Sequence, residues 1–155
     1  MTDTVSRKLF TEFKKRAGPI PDSDLDEFWA WLEPATIDDM IGEWHGGEFF
    51  TGHPSNGLLD QFRWFGKTFT SATDAQPLVC LDDDGNKFSN VALGNGEAGL
   101  WMEEFRGQLT ATMVYDGQPT HDHFKKIDDN AVMGIMNGKN VPATGPYFYF
   151  YLQRV

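Results

Sequence analysis

The sequence predicts a mainly β domain, an antiparallel up-and-down β-barrel of about eight or nine strands preceded by two short N-terminal α-helices. Short strand-like segments recur from residue 64 onward, and turn residues separate them. The last segment, 147–153, is aromatic on both faces, whereas a strand with one wet face alternates apolar and polar side chains. A sheet of this many strands twists strongly and tends to close, because closure removes its exposed edges.

Two amphipathic helices are expected ahead of the barrel. Residues 6–16 carry apolar side chains at helical spacing, and Gly18-Pro19 ends this segment. Residues 23–33 form a second helix with one apolar face. Pro34 ends this helix, because its ring disfavours helical geometry in the residue before it. A short helical turn over residues 36–41 follows, and the chain then changes to strand-like segments.

Turn chemistry marks the boundaries of the strands. Asp83-Asp84-Gly85-Asn86 and Gly94-Asn95-Gly96 contain residues that tolerate positive φ. In the first strand, Gly46-Gly47 indicates a bulge, a sharp bend or the close approach of another backbone. Residues 57–63 fit a short helix. The predicted strands are 44–50, 64–70, 76–81, 88–93, 99–106, 109–115, 119–127, 131–137 and 147–154.

The length of 155 residues suits a single domain, and no linker or repeat divides the chain. We expect residues 1–35 to be a helical lead-in that packs on the barrel, and residues 42–155 to form the barrel itself. Aromatic residues make up 14% of the chain, and each buried ring removes a large area from water. So many rings in one small domain indicate a large core, an aromatic-lined cavity, or both.

Charge and cysteine content exclude several classes of partner. The formal net charge is −10, which disfavours nucleic acids and anionic membrane surfaces because both attract Lys and Arg. No apolar stretch approaches the ~20 residues of a membrane-spanning helix, and no apolar signal run follows the N-terminus. The lone cysteine, Cys80, lies in an apolar run and cannot form an internal disulfide. These features predict a cytoplasmic protein that binds neither nucleic acid nor membrane.

One local motif and two longer segments carry a family resemblance. They are Gly42-Glu43-Trp44-His45-Gly46, the segment Tyr115–Phe124, and residues 127–130 followed by 132–137. Together they resemble a bacterial and fungal family that is named after its G-x-W-x-G motif and has a C-terminal domain of unknown function. The resemblance covers roughly residues 36 to 155 and implies no particular biochemical role.

The position of Trp44 suggests a wider resemblance. A Gly-x-Trp at the start of the first strand, just after a short helix, is similar to calycin-type barrels: the lipocalins, fatty-acid-binding proteins and nitrobindin-like haem barrels. This resemblance implies that Trp44 plugs one barrel end. His45, its neighbour on the strand, would then point outward unless the glycines bend the chain. Residues 147–155 contain no histidine where a nitrobindin-like barrel would ligate haem, and we predict no cofactor.

His121-Asp122-His123 is the most suggestive triplet for chemistry. On a strand, residues two apart project to the same face, so both imidazoles would point the same way. The spacing suits acid–base catalysis near neutral pH, with Glu103 as a further candidate. It also suits a metal site completed by a third ligand, although we predict no metal. The alternative is a solvated or structural face that the histidines share with Lys125.

Several strand side chains are expected to line the lumen. Lys67 and Arg106 could together hold a carboxylate, since a buried cation needs a partner. Either Glu103 or Glu104 is expected to face inward with a raised pKa. In 147–153 the tyrosines, with their polar tips, are expected to face the lumen or the barrel ends. The predicted ligand-contacting residues are Trp44, Trp64, Lys67, Trp101, Glu103, Phe105, Arg106, Met113, Tyr115, His123, Met133 and Tyr149.

Three functions are compatible with these features. The first is the binding of a small hydrophobic molecule in the barrel lumen, which the aromatic and Met content and the two-sided apolar strands favour. The second is an isomerase, hydrolase or dehydratase that acts on such a molecule, with His121, Asp122 and His123 or an inward Glu103 as its acid–base groups. The third is an oligomerising structural module, such as a homodimer, in which the front helices pack on a partner.

Overall fold

The structure, a computed structural model, describes residues 2–139, 141 and 146–155. No described helix is long and apolar enough to cross a membrane. The helices are α1 (Asp3–Lys15), α2 (Asp22–Trp31), α3 (Ile37–Met40), α4 (Leu58–Gln61) and α5 (Val91–Gly94). The strands are β1 (Glu33–Pro34), β2 (Gly42–Glu48), β3 (Trp64–Ser71), β4 (Asp74–Leu81), β5 (Lys87–Ser89), β6 (Ala98–Phe105), β7 (Gln108–Tyr115), β8 (Thr120–Asp128), β9 (Ala131–Gly138) and β10 (Phe148–Arg154).

Eight of these strands close into an antiparallel ring. The order β2, β3, β4, β6, β7, β8, β9 and β10 follows the chain, and β10 pairs back onto β2. The β4–β6 junction is narrow, with the register pair Ala75 and Ala98 extended by a 2.7 Å bond from the Leu100 amide to the Ala72 carbonyl. Strands β1 and β5 pair outside the ring with β8 and β4. The predicted up-and-down barrel is confirmed.

One predicted strand is wrong in part. Residues 88–93 divide into β5, which ends at Ser89, and the short helix α5. The side chain of Asn90 accepts a 3.1 Å hydrogen bond from the Leu93 amide, so it caps the helix and stops the strand. The two-residue strand β1 was not predicted; it follows α2 directly and pairs with Lys125 and Lys126 of β8.

The barrel wall separates two apolar layers. The interior cluster includes Met113 and Phe124, and the outer cluster joins the wall to α1 and α2 through residues such as Phe10 and Phe28. The helices therefore bury their apolar faces on the outer wall of the barrel.

Strand β10 contributes to both layers, but not in the predicted sense. Phe148, Phe150 and Leu152 point into the barrel, while Tyr149 belongs to the outer cluster and Tyr151 packs against it. The prediction that the tyrosines face the lumen or the barrel ends is wrong, because they pack in the outer layer between the barrel and the helices. The Tyr149 hydroxyl donates a 2.7 Å hydrogen bond to Asp26 of α2, which gives this buried phenol its polar partner.

Trp44 closes one end of the barrel beneath α3. It is 1% exposed, and its indole Nε1 donates to the Met40 carbonyl at 2.8 Å. The Arg154 guanidinium lies 4.3 Å from the centroid of the Trp44 ring and donates to the Ile41 carbonyl at 2.9 Å. The neighbouring His45 points outward and stacks on Phe65, with 4.7 Å between the two ring centroids.

Two glycines make room for aromatic rings inside the barrel. A Cβ on Gly46 would lie 2.1 Å from Cη2 of Trp64, and one on Gly134 would lie 2.3 Å from Cζ of Phe150. Both contacts are far shorter than a van der Waals separation, so a side chain at either position would force the facing ring to move. The glycine signal in the first strand therefore marks a close approach, made by a side chain.

Candidate ligand pocket at the open end of the barrel

A pocket of about 240 Å³ opens at the strand ends opposite Trp44. Its walls are mostly apolar. Helix α4 and the residue that follows it, Phe62, lie over its mouth, and Leu58 and Phe62 are each 46% exposed. The lining residues are Ser55, Leu58, Leu59, Phe62, Trp64, Lys67, Leu78, Leu93, Tyr115, Gln118, Asp122, Met136, Phe148 and Phe150.

The inner end of the pocket holds a buried ion pair. Lys67 on β3 and Asp122 on β8 come from opposite walls of the ring. Lys67 Nζ lies 3.1 Å from Asp122 Oδ2, with side chains only 3% and 4% exposed. Lys67 Nζ also donates to the Pro77 carbonyl at 3.2 Å. Burial lowers the pKa of Lys67 and raises the pKa of Asp122, because both charged forms lose solvation and each recovers only part of it from the other.

Aromatic rings surround the ammonium group. The distances from Lys67 Nζ to the ring centroids are 5.6 Å for Trp64, 5.6 Å for Tyr115 and 5.3 Å for Phe150. Rings within about 6 Å of a cation attract it through their negative faces. A cation at this point is therefore held by Asp122 and by the rings together.

Tyr115 adds a neutral polar group to the same end of the pocket. Its side chain lines the cavity and is 9% exposed. Burial and the nearby Asp122 carboxylate raise the pKa of Tyr115 well above its usual value, so the hydroxyl keeps its proton and can donate a hydrogen bond. The pocket thus presents an ammonium, a carboxyl and a phenol to an occupant with apolar flanks.

Two family models match the chain. The model described as GXWXG protein matches residues 27–85, and the model described as domain of unknown function (DUF4334) matches residues 96–154. A crystal structure of a protein from Thermomonospora curvata is 33% identical, with 97% of each chain covered and a TM-score of 0.86. The chain belongs to the GXWXG family. No curated protein matches it.

The family models divide the barrel between them. The GXWXG match contains the Trp44 end, Trp64 and Lys67, and the DUF4334 match contains Tyr115 and Asp122. Since Lys67 and Asp122 meet across the lumen, the pocket is built from both matched segments. The GXWXG motif itself lies on β2, where it closes one end of the barrel and provides, at Gly46, the space for Trp64.

The structure divides the predicted ligand-contacting residues into two sets. Five lie in the interior: Trp44 and Met113 in the core, and Trp64, Lys67 and Tyr115 in the pocket wall. The other seven lie outside the lumen: Trp101, Glu103, Phe105, Arg106, His123, Met133 and Tyr149.

Two predicted lumen groups are on the outer face of the barrel. Arg106 pairs with Asp26 of α2 at 2.8 Å, so the predicted carboxylate clamp of Lys67 and Arg106 is wrong. The carboxylate that Lys67 contacts is that of Asp122. Strand β6 turns Leu100 inward, and strand alternation therefore turns Trp101, which is 61% exposed, outward.

The glutamates follow the same geometry. Glu103 lies outside the lumen, where it forms a 2.6 Å hydrogen bond with His121, and Glu104 is exposed. The prediction that one of them faces inward is therefore wrong. Strand β4 pairs with β6 only at Ala75 and Ala98, at the start of β6. The end of β6 that carries the two glutamates therefore extends beyond β4 and is not enclosed by the barrel wall.

The His121-Asp122-His123 triplet does not converge on one cavity. Asp122 points into the pocket, whereas His121 and His123 lie on the other side of the strand. His123 stacks on Phe105 at 4.0 Å, and its Nδ1 lies 2.8 Å from the Thr112 hydroxyl. Burial lowers the pKa of His123 to about 4, and electrostatic repulsion from His121 and Arg106 adds a smaller contribution in the same direction. His123 is therefore a neutral structural side chain at pH 7. Among the described residues, no group of three or more His, Cys, Asp and Glu side chains could hold a metal ion.

Sequence reasoning missed much of the pocket wall. The triplet prediction treats Asp122 only as an acid–base partner of its histidine neighbours. Phe124, two residues on, is an apolar residue on the same face of the strand and indicates that Asp122 points inward. The pocket residues of α4 and of the segment before β3 carry no strand periodicity, so no local pattern could place them over the lumen. The missed lining residues are Ser55, Leu58, Leu59, Phe62, Leu78, Leu93, Gln118, Met136, Phe148 and Phe150.

Proposed function

We propose that this chain binds a small, mostly apolar molecule in the pocket, with the polar group of that molecule against Lys67 and Asp122. The observation that carries the proposal is an apolar cavity whose inner end holds a buried ion pair. Ligand sites typically combine apolar walls with a few convergent polar groups. Stability alone does not account for this buried ion pair, since apolar side chains of similar size stabilise a fold as well or better.

The size of the cavity limits the ligand. About 240 Å³ corresponds to the liquid volume of about eight water molecules, so an occupant has on the order of ten non-hydrogen atoms. Such a molecule needs a polar end that accepts hydrogen bonds from Lys67 or Tyr115. Alcohols, ketones, aldehydes and carboxylic acids with a short apolar body meet both conditions.

The proposed setting is the cytoplasm, with a small molecule as the partner and with no nucleic acid or membrane surface involved. The formal charge of −10 repels phosphate backbones and anionic lipids. Cys80, which is free and fully buried, needs no oxidising compartment.

Binding of octan-1-ol and 2-octanone tests the proposal. Native mass spectrometry and thermal unfolding with the full chain should show one bound molecule and a ligand-dependent rise in Tm. Leu59→Trp replaces a side chain of the pocket wall by a larger aromatic one and should weaken binding by about tenfold or more. Leu109→Trp is the matched control, because Leu109 is 62% exposed and does not line the pocket. If neither compound binds, or if both variants bind like the parent chain, the proposed function is wrong.

A further inference from the structure

Lys67 is a primary amine placed at the inner end of an apolar cavity. It is one of two lysines whose side chains are almost fully buried, the other being Lys125. Lys67 alone of the two lines the pocket. We propose that Lys67 captures a small apolar aldehyde or ketone as a reversible Schiff base, with Asp122 moving the protons. This inference rests on the proposed binding function and names the substrate class for it.

Schiff-base formation requires an uncharged amine, and the surroundings of Lys67 favour one. Asp122 Oδ2 lies 3.1 Å from Nζ, close enough to accept a proton from the ammonium directly. When an apolar ligand fills the pocket, the remaining water leaves and the charged pair becomes more costly than the neutral amine and acid. The directions of the pKa shifts of both groups agree with this transfer. A lysine desolvated in an apolar pocket is a recognised type of nucleophile.

Atoms and protons balance in the proposed step. The lone pair of Lys67 Nζ attacks the carbonyl carbon, and the carbonyl oxygen takes the proton that Asp122 received, giving a carbinolamine. The carbon–oxygen bond then breaks and the oxygen leaves as water, with a proton from the nitrogen passing through Asp122. The product is an iminium that faces the Asp122 carboxylate, and it becomes a neutral imine when Asp122 takes its remaining proton. Hydrolysis reverses every step, so no oxidant or reductant is needed.

The product suits the site as well as the reactants do. An iminium carries its positive charge at the position of the present ammonium, next to Asp122. The rings of Trp64 and Phe150, with centroids 5.6 Å and 5.3 Å from Nζ, attract that cation in the same way. The phenol of Tyr115, which also lines the pocket, can donate to the carbinolamine oxygen before water leaves.

Lys125 provides an internal comparison within the same chain. It is 1% exposed, and burial, followed by the charge of Arg106, lowers its pKa too. Its Nζ donates to the Trp29 carbonyl at 3.1 Å in the layer between the barrel and α2. Burial is therefore shared by the two lysines, while access to a cavity is not.

Reductive trapping tests the proposal. The full chain is incubated with octanal and sodium cyanoborohydride, which reduces an imine to a stable secondary amine, and the modified lysines are mapped by peptide mass spectrometry. Lys67 should be alkylated at least about tenfold faster than Lys125 or the exposed lysines, because the pocket holds the aldehyde beside it. Excess octan-1-ol, which cannot form an imine, should slow alkylation at Lys67 and leave the exposed lysines unchanged. Lys67→Arg keeps the charge but cannot form the imine, and should lose the fast phase.

The outcomes separate this inference from the proposed function. If octan-1-ol binds but Lys67 is alkylated no faster than Lys125, the pocket binds its ligand without a covalent step and the Schiff-base proposal is overturned. If neither octan-1-ol nor 2-octanone binds and octanal gives no fast alkylation of Lys67, both proposals are wrong. Mapping of the unmodified sequence needs no variant, so the test does not depend on whether Lys67→Arg folds.

Discussion

The buried pair of Lys67 and Asp122 makes a prediction about stability that a surface pair would not make. The two groups lie 3.1 Å apart with side chains 3% and 4% exposed, and their attraction is about 5 kcal/mol at an effective dielectric constant of about 20. Lys67→Met leaves the carboxyl of Asp122 buried without its partner. Asp122→Leu leaves the ammonium of Lys67 buried without its partner. Each change should lower the free energy of unfolding by about 3–5 kcal/mol at pH 7.

The double variant provides the decisive comparison. Lys67→Met with Asp122→Leu replaces both charges by apolar side chains, and such replacements of buried pairs are often neutral or stabilising. The free energy of unfolding of the double variant should therefore lie within about 1–2 kcal/mol of the parent value. The resulting coupling energy between the two positions should be about 3 kcal/mol or more.

The two single variants should depend on pH in opposite directions. In Lys67→Met, burial raises the pKa of Asp122 above its unfolded value of about 3.9, so stability is highest at acid pH and falls as pH rises from about 4. In Asp122→Leu, burial lowers the pKa of Lys67 below its unfolded value of about 10.4. The stability of that variant therefore rises with pH through the alkaline range. In both variants the free energy of unfolding changes by at most about 1.4 kcal/mol per pH unit.

Urea unfolding followed by tryptophan fluorescence, at several pH values between about 4.5 and 9.5, measures all four proteins. A loss of under about 1 kcal/mol in both single variants would mean that water reaches the pair freely. Slopes of the same sign in the two variants would contradict the assignment of the charges. Either result refutes the argument from burial.

Two further predictions concern packing and protonation. Gly134→Ala should lower the free energy of unfolding by about 1–3 kcal/mol, because its Cβ would lie 2.3 Å from Cζ of Phe150; urea unfolding measures the loss. His123, whose pKa burial lowers to about 4, should titrate near that value in a proton NMR titration. This folded-state pKa lies below the unfolded value of about 6.5. The contribution of His123 to stability is therefore present above about pH 6.5 and is lost as the pH falls towards 4. That contribution is on the order of 3 kcal/mol.

Each of these predictions has its own control. Adding Phe150→Leu to Gly134→Ala shortens the side chain that the new methyl group would meet, so the double variant should lose less than the sum of the two single losses. Strict additivity would contradict the proposed clash. His123→Gln removes the assigned NMR resonance and should reduce the loss of stability between about pH 6.5 and 4. A titration of His123 near its unfolded value would show that the ring is solvated.

Elements that depend on local patterns could be predicted from the sequence. The strand predicted over 109–115 is observed as Gln108–Tyr115, and the helix predicted over 23–33 as Asp22–Trp31. Periodicity and turn residues act over a few positions, so the chain carries these signals wherever it lies in the fold. The exception is residues 88–93, where an Asn90 cap competes with strand propensity.

The pocket depends on contacts that no local pattern contains. In β10, alternation separates Phe150 from Tyr149 but does not say which of them faces inward. The docking of α2, with Asp26 as partner for the Tyr149 hydroxyl, decides it. Likewise Lys67 is a plausible lumen residue by sequence, but whether Arg106 joins it, and which carboxylate it contacts, depends on which strands face each other across the closed ring.

The sequence by itself determined the class of fold, the order of the strands and the membership of the GXWXG family, because alternation, turn residues and a motif are properties of short segments. Only the tertiary structure decided which face of each strand is the inner one. It also brought Lys67 and Asp122 together and set α4 over the mouth of the pocket. The physical reason is closure: when β10 pairs with β2, residues far apart in the chain become opposite walls of one cavity.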